Sequence, residues 1–479
     1  MFQLDVKHTI SETELNAGVS YQRIDQDDQR FTLRQPGRTN EAFVTQNSEA
    51  DIDLFNAHAS SATRINEQFL LTAGYAFTYI DTDTAGNRIY GSAFDSIYDP
   101  FFRGRAPRDE GFLDLNGSTI FRQHEANLNL LYTPWENVAI IPSLRVSKQD
   151  ESADANFTTT DFTSAGVATF TPIYGNNDRA YLDVAEAVEL CYTGFTNWLL
   201  YARGEWTEDD GDLNQLELPL DTPEDQDLLR EDADRFTQKY TVGLNWYPLR
   251  RFNLGAQYYH KTRDYDYANK LGPPPSDYPG FIQDQKFDTD DANFRISLRP
   301  LNNVTLVTRY DFQLSRMFMT GDSLGEVQSG ETTTHIISQS ASWSPLPRLV
   351  LQGNFNYVLD STDTPGDRLG GIMANQIQQA ENNYWDAGAL VGYALDDKTD
   401  LQLEYFYYRA DDYQNNSAFS QPYGAGEEQN GVTVTLLRQL SRSIRWTLKY
   451  GFFSNHDQTY GGHKNYNAHL VYSSLQYRF

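Results

Sequence analysis

One cysteine, Cys191, stands in 479 residues, so no internal disulfide can form. A Cys-x-x-Cys-His haem-attachment site is absent as well. No run of about 18 apolar residues occurs, which excludes a transmembrane helix but not a membrane-spanning barrel. The 8 histidines are dispersed. No Gly-x-Ser-x-Gly, His-Glu-x-x-His or glycine-rich phosphate loop is present. With no catalytic constellation and no metal-ligand set, the expectation is a non-enzyme that binds no cofactor of its own. Positive charge is also short: 38 Lys and Arg against 66 Asp and Glu give a formal charge of -28. That balance disfavours a nucleic-acid partner. The opening Met1-Phe2-Gln3-Leu4-Asp5 has neither the basic start nor the apolar core of a signal peptide. An exported barrel needs one, so a processed or truncated start is expected, with one upstream strand missing.

What the chain does have is aromatic surface. Tyr 31, Phe 28 and Trp 7 make up 14% of the residues, yet mean hydropathy is negative. This suits a membrane barrel, where only alternate residues face lipid and aromatic girdles sit at both interfaces. Alternation is visible directly. Ile444, Trp446, Leu448, Tyr450 and Phe452 share one strand face, and Arg445, Thr447, Lys449 and Gly451 the other. A soluble sandwich alternates too, but here the polar faces carry Arg, Lys, Gln and Asn, as a wet lumen allows.

A short hairpin recurs four times: Pro134-Trp135-x-x-Val138-x-Ile140, Pro248-Leu249-x-x-Phe252-x-Leu254, Pro300-Leu301-x-x-Val304-x-Leu306 and Pro345-Leu346-x-x-Leu349-x-Leu351. Proline cannot donate to a ladder, so each copy marks a strand end. Short turns alternate with long polar connections near 25–50, 82–120, 150–179, 208–234 and 266–287. Outer-membrane barrels have short periplasmic turns and long extracellular loops, which places the proline turns in the periplasm. The reading is all-β: one transmembrane antiparallel up-and-down β-barrel over residues 1–479, with about nineteen or twenty strands. Both terminal strands of a nineteen-strand count run the same way.

Polar parities nominate lumen-facing residues: Arg145, Arg203, Glu205, Lys261, Arg263, Arg295, Arg299, Arg309, Asp311, Glu404, Arg445 and Lys449. They are expected to pair across strands or to set pore selectivity. The acidic runs Glu208-Asp209-Asp210 and Glu224-Asp225-Gln226-Asp227 are read as solvated loops, and Cys191 as a small residue facing lipid or a neighbour. Asp81-Thr-Asp83 and Asp264-Tyr-Asp266 space carboxylates as calcium loops do, but lack the Gly and distal Glu. The loop at 82–120, with Gly91, Pro100, Phe101, Phe102, Gly104 and Gly111, is a candidate inward constriction.

The chain ends with Val471, Leu475, Tyr477 and the terminal Phe479 on one strand face. This resembles the C-terminal signature of bacterial outer-membrane proteins. The resemblance implies an outer-membrane location, contact with lipid and lipopolysaccharide, and recognition of this strand by the barrel-insertion machinery. The long hairpins with Pro-Leu turns, as in Trp246-Tyr247-Pro248-Leu249-Arg250-Arg251-Phe252, resemble the decahaem-associated MtrB/PioB-type barrels. That resemblance implies a periplasmic multihaem cytochrome as partner, with the haem belonging to the partner. Some members carry an N-terminal Cys-x-x-Cys, which this chain lacks. TonB-dependent transporters fill such a lumen with an N-terminal plug, for which this chain has no spare domain. Three roles stay open: a porin, a cytochrome sheath in extracellular electron transfer, and a structural or adhesive barrel with a blocked lumen.

Overall fold

The structure is a computed structural model that describes residues 2–33, 43–91, 110–162, 168–272, 282–321, 324–364, 379–413, 424–457 and 465–477. These residues form twenty strands. The first five are β1 (Phe2–Ile10), β2 (Thr13–Leu33), β3 (Phe43–Arg64), β4 (Phe69–Gly91) and β5 (Glu110–Trp135). Next come β6 (Val138–Phe162), β7 (Ala168–Tyr192), β8 (Trp198–Pro219), β9 (Asp227–Leu249) and β10 (Phe252–Gly272). Then follow β11 (Ile282–Leu301), β12 (Val304–Gly321), β13 (Leu324–Leu346), β14 (Leu349–Asp363) and β15 (Gln379–Glu381). The last are β16 (Tyr384–Asp396), β17 (Thr399–Asp411), β18 (Gly426–Gln439), β19 (Ile444–Asp457) and β20 (Tyr466–Tyr477). A single 3-10 turn, Pro223–Asp225, lies between β8 and β9.

Apart from β15 and β16, strands pair antiparallel with their sequence neighbours, giving an up-and-down meander. The segments β15 and β16 both pair with β14 in one continuous register, so the twenty strands fill nineteen positions. Asn382 N–H still reaches Asp360 O at 2.9 Å across the break. Among the described residues no register joins β1 to β20, and these two strands run in the same direction.

The polarity of the wall is inverted relative to a soluble fold. Large apolar side chains are exposed, with Leu249 at 68% and Trp135 at 67%, while Ser147, Thr241, Asp291 and Thr433 are buried. The registers put Leu254, Ile296, Leu306, Ala341, Leu351, Val391, Leu403, Val434, Leu448 and Ser473 on one outer face. Water would penalise so much exposed apolar area at about 25 cal/mol per Å². A bilayer would not.

Two aromatic layers bound this belt. At the short turns, Phe69 stacks on Tyr132 at 4.4 Å and Trp198 on Trp246 at 5.4 Å. Farther along the strands, one arrangement occurs three times. Phe77, Phe312 and Phe452 each lie eight residues into β4, β12 and β19. Each faces a histidine directly across: His124, His335 and His469. Each histidine Nδ1 also meets a tyrosine hydroxyl, from Tyr75 at 2.7 Å, Tyr310 at 2.9 Å and Tyr450 at 2.8 Å. Six to eight residues at about 3.3 Å each separate the layers by about 20–26 Å along the tilted strands.

The proline hairpins acquire a specific role. In each copy the register is irregular at the proline and then closes on Trp135↔Val138, Leu249↔Phe252, Leu301↔Val304 or Leu346↔Leu349. The proline occupies the bulge, where no ladder donor is needed. The extra residue reverses the alternation, so Trp135, Leu249, Leu301 and Leu346 turn to the outer face at the membrane edge.

The long connections at 25–50, 82–120, 150–179, 208–234 and 266–287 are mostly strand instead of loop. β6 and β7 pair from Val138↔Tyr192 to Phe162↔Ala168. Beyond the outer girdle both faces are wet, so the apolar alternation that signals a strand disappears while the backbone ladder continues. Polar cross-strand bonds accompany it: Ser152 Oγ donates to Asp178 at 2.6 Å and Tyr174 Oη to Asp154 at 2.6 Å. Glu208, Asp209 and Asp210 therefore lie in β8, Asp81 and Asp83 in β4, and Asp264 and Asp266 in β10. Of the candidate constriction, Gly91 and Gly111 are in strands, and Pro100, Phe101, Phe102 and Gly104 lie outside the described residues.

Candidate functional site on the inner wall

The concave face opposite the apolar belt carries most of the polar and charged side chains of the wall. Arg145, Arg203, Glu205, Lys261, Arg263, Arg295, Arg309, Asp311, Glu404, Arg445 and Lys449 all occupy its parity. Arg299 sits at its short-turn end, with its N–H on Arg251 O at 2.8 Å. Val471, Leu475 and Tyr477 oppose Tyr450, Trp446 and Ile444 on the outer face. Phe479 lies outside the described residues. Cys191 is on the inner parity, with Sγ 3.2 Å from Glu189 Oε1, and does not face the belt.

On β6 to β8, and at Arg235 of β9, inner charges are paired. Arg145 Nη2 lies 3.1 Å from Asp183 Oδ1. Arg203 bridges Glu189 at 3.4 Å and Glu205 at 2.9 Å. Arg235 Nε donates to Asp209 Oδ2 at 2.6 Å. Arg145, Ser147, Asp183, Asp209, Arg235 and Tyr265 line a hollow of about 500 Å³. A hydrated wall lets such charges stay ionised, and each exposed pair is worth about 0.2–1 kcal/mol.

Across β9 to β12 the pattern changes. Lys239 is directly opposite Lys261 on one side and Glu205, which Arg203 holds at 2.9 Å, on the other, and Arg295 is directly opposite Arg309. Arg263 is the next inward residue after Lys261 on β10. Among the described residues no carboxylate lies within ion-pair distance of these five. Lys239 Nζ instead lies 4.4 Å over the Tyr259 ring, and the Arg263 guanidinium 6.0 Å from the Phe287 ring. The acids in between are otherwise engaged: Asn293 Nδ2 donates to Asp311 at 2.6 Å, and Asp291 is buried. On the opposite wall the partners are neutral, as where Thr433 Oγ1 donates to Glu404 at 2.9 Å.

Sequence reading passed over Asp183, Glu189, Asp209, Arg235 and Lys239. Parity could have found Lys239, which shares the odd positions of Thr237, Thr241 and Asn245. Asp209 was hidden because its segment reads as loop, and Glu189 because Ala185 and Ala187 blur the alternation of β7. Two side-chain groups could also approach a cation: His260, Asp288 and Asp290, and Asp210, Asp232 and Asp234. Both lie on the outer face, the first at the level of the outer aromatic layer and the second beyond it. In the first, Asp290 already accepts from Tyr258 at 2.6 Å and lies 3.1 Å from His260 Nδ1.

No protein-family model matches the chain, and no curated protein matches it in sequence. Solved structures do. The chain is similar over 100% of its length to the ferric yersiniabactin uptake receptor FyuA from Yersinia pestis, covering 77% of that chain with a TM-score of 0.54 at 12% identity. Over 99% of its length it is similar to the siderophore receptor PiuA from Acinetobacter baumannii, covering 78% of that chain with a TM-score of 0.52 at 10% identity. The pyoverdine-bound FpvA of P. aeruginosa gives 0.53 at 9% identity, with 99% of this chain and 69% of that chain covered. The fold is that of an outer-membrane β-barrel.

Proposed function

We propose that the chain spans the bacterial outer membrane as a wide barrel and carries solutes through its lumen. The inverted wall carries this reading: apolar residues such as Leu249 and Leu298 are exposed outward while Ser147, Thr241 and Asp291 are buried inward. Barrels of 16–18 strands already leave an aqueous channel, and nineteen positions leave more. Lipid and lipopolysaccharide are the partners of the outer belt, and the barrel-insertion machinery is the partner of the last strand. Planar-bilayer recording of the purified full chain tests the role. Stable stepwise conductance is expected, and a sealed membrane after verified insertion would overturn it.

The likeness to FyuA supports a second reading, an uptake receptor for a ferric chelate. Saturable binding of a ferric siderophore without open conductance would move the assignment there. Copurification of a c-type haem protein, again without conductance, would favour the MtrB/PioB-like sheath.

A further inference from the structure

We infer that the inner wall of β9 to β12 makes the lumen selective for anions, an inference that rests on the solute-conduit reading. The chain as a whole carries -28, so an anionic character would be the default for any surface of it. This wall departs from that default. Lys239, Lys261, Arg263, Arg295 and Arg309 face the lumen without a carboxylate in ion-pair distance among the described residues.

Two of the contacts are like-charge pairs set directly across neighbouring strands, Lys239↔Lys261 and Arg295↔Arg309. Directly opposed like charges destabilise a sheet. β8 and the outer part of β9 show the alternative the fold uses elsewhere, where Arg203 takes Glu189 and Glu205 and Arg235 takes Asp209. Opposed cations are therefore not the wall's structural solution. They leave guanidinium and ammonium donors free for a passing anion. Arginine forks match carboxylate and phosphate oxygens, and lysines act as point charges.

The placement suits a path. Gly255, opposite Arg295, is the third residue after Phe252, and Arg263 is the eleventh. At about 3.3 Å per residue the column runs about 26 Å along the strand, from within the belt to three residues past the outer aromatic layer. Much of the acid excess lies elsewhere. Asp232, Asp234, Asp264, Asp266 and Asp284 occupy the outer parity of the same strands, and Asp210 that of β8, beyond the belt. Rings or rows of Arg and Lys are how pores favour anions.

The test is the reversal potential of the full-length barrel under a KCl gradient, with inorganic phosphate as a second probe. The wild-type potential is expected to take the sign of chloride preference, and phosphate to reduce the chloride current. The variant K239Q/K261Q/R295Q/R309Q, checked for heat-modifiable barrel migration, is expected to move the potential to zero or past it and to lose the phosphate effect. R295Q/R309Q alone, which relieves one like-charge pair, gives the same direction of shift if the fourfold variant does not fold. An open but unselective or cation-selective wild-type channel overturns the inference and leaves the conduit standing. A sealed membrane overturns the conduit and the inference together.

Discussion

Leu448 and Thr447 are adjacent in sequence and face different media. Leu448 opposes Leu436 and Ser473 on the outer face, four residues into β19 and so near the middle of the belt. Thr447 faces the lumen. Leu448→Arg is expected to cost about 2–4 kcal/mol. Thr447→Arg is expected to stay within about 0.5 kcal/mol, since the lumen is hydrated. Urea titration of both variants refolded into vesicles measures the difference. Outside the membrane, the Asp234 carboxyl is raised from its ordinary value by desolvation and then by Asp232, Asp210, Asp266 and Asp212. A raised acid binds more protons folded than unfolded, so its penalty grows as pH rises through its titration and is relieved as pH falls. Asp234→Asn is therefore expected to slow amide exchange in the outer parts of β8 and β9 at pH 7 and to flatten its pH dependence. Asp154 has the opposite sign. Hydrogen bonds from Tyr174 and then Asn176 hold its carboxyl low, and its contribution is lost only as pH falls through that lowered value. The side a residue faces is legible in its parity. Its ion-pair partner is not, because Arg203 finds Glu189 only through the register between β7 and β8.

At the scale of elements, the four proline turns announce themselves, but their bulges do not. Nothing in Pro300-Leu301 says that the alternation reverses there; the pairing of Leu301 with Val304 shows it. A fifth hairpin does the same without proline. Its register is irregular between Ala394 and Asp396, and Asp396 Oδ1 accepts the Lys398 N–H at 2.8 Å. The outer strand extensions were illegible for a physical reason: Lys148 to Asp154 is polar on both parities, so the ladder leaves no hydropathic trace. The Tyr, Phe and His layer was scattered over six strands and becomes visible only when β4 meets β5, β12 meets β13 and β19 meets β20. Each Tyr–His bond is a local fastener between two strands. Tyr310→Phe is expected to lower stability by about 0.5–1.5 kcal/mol, with the shift confined to β12 and β13. Denaturant titration together with site-resolved exchange checks both parts.

The whole molecule is a charge-sorted tube. Acid gathers on the outer strand extensions, apolar side chains on the belt, and directly opposed cations on the inner wall of β9 to β12. Nineteen positions follow from counting alternating segments, and the structure keeps that odd number because β15 and β16 are one strand broken at Asn382. Parity nominates Lys261, Arg263, Arg295 and Arg309 from the sequence, but that Lys261 meets Lys239 and Arg295 meets Arg309 depends on the register. The single native cysteine allows the central claim to be tested residue by residue. With Cys191 replaced by Ser, cysteines are introduced one at a time from Ile444 to Phe452 and probed in vesicles with a membrane-impermeant thiol reagent. The account predicts a two-residue period, with positions 445, 447, 449 and 451 labelled and positions 446, 448 and 450 protected. Uniform labelling along β19, or protection with a helical period, would contradict it.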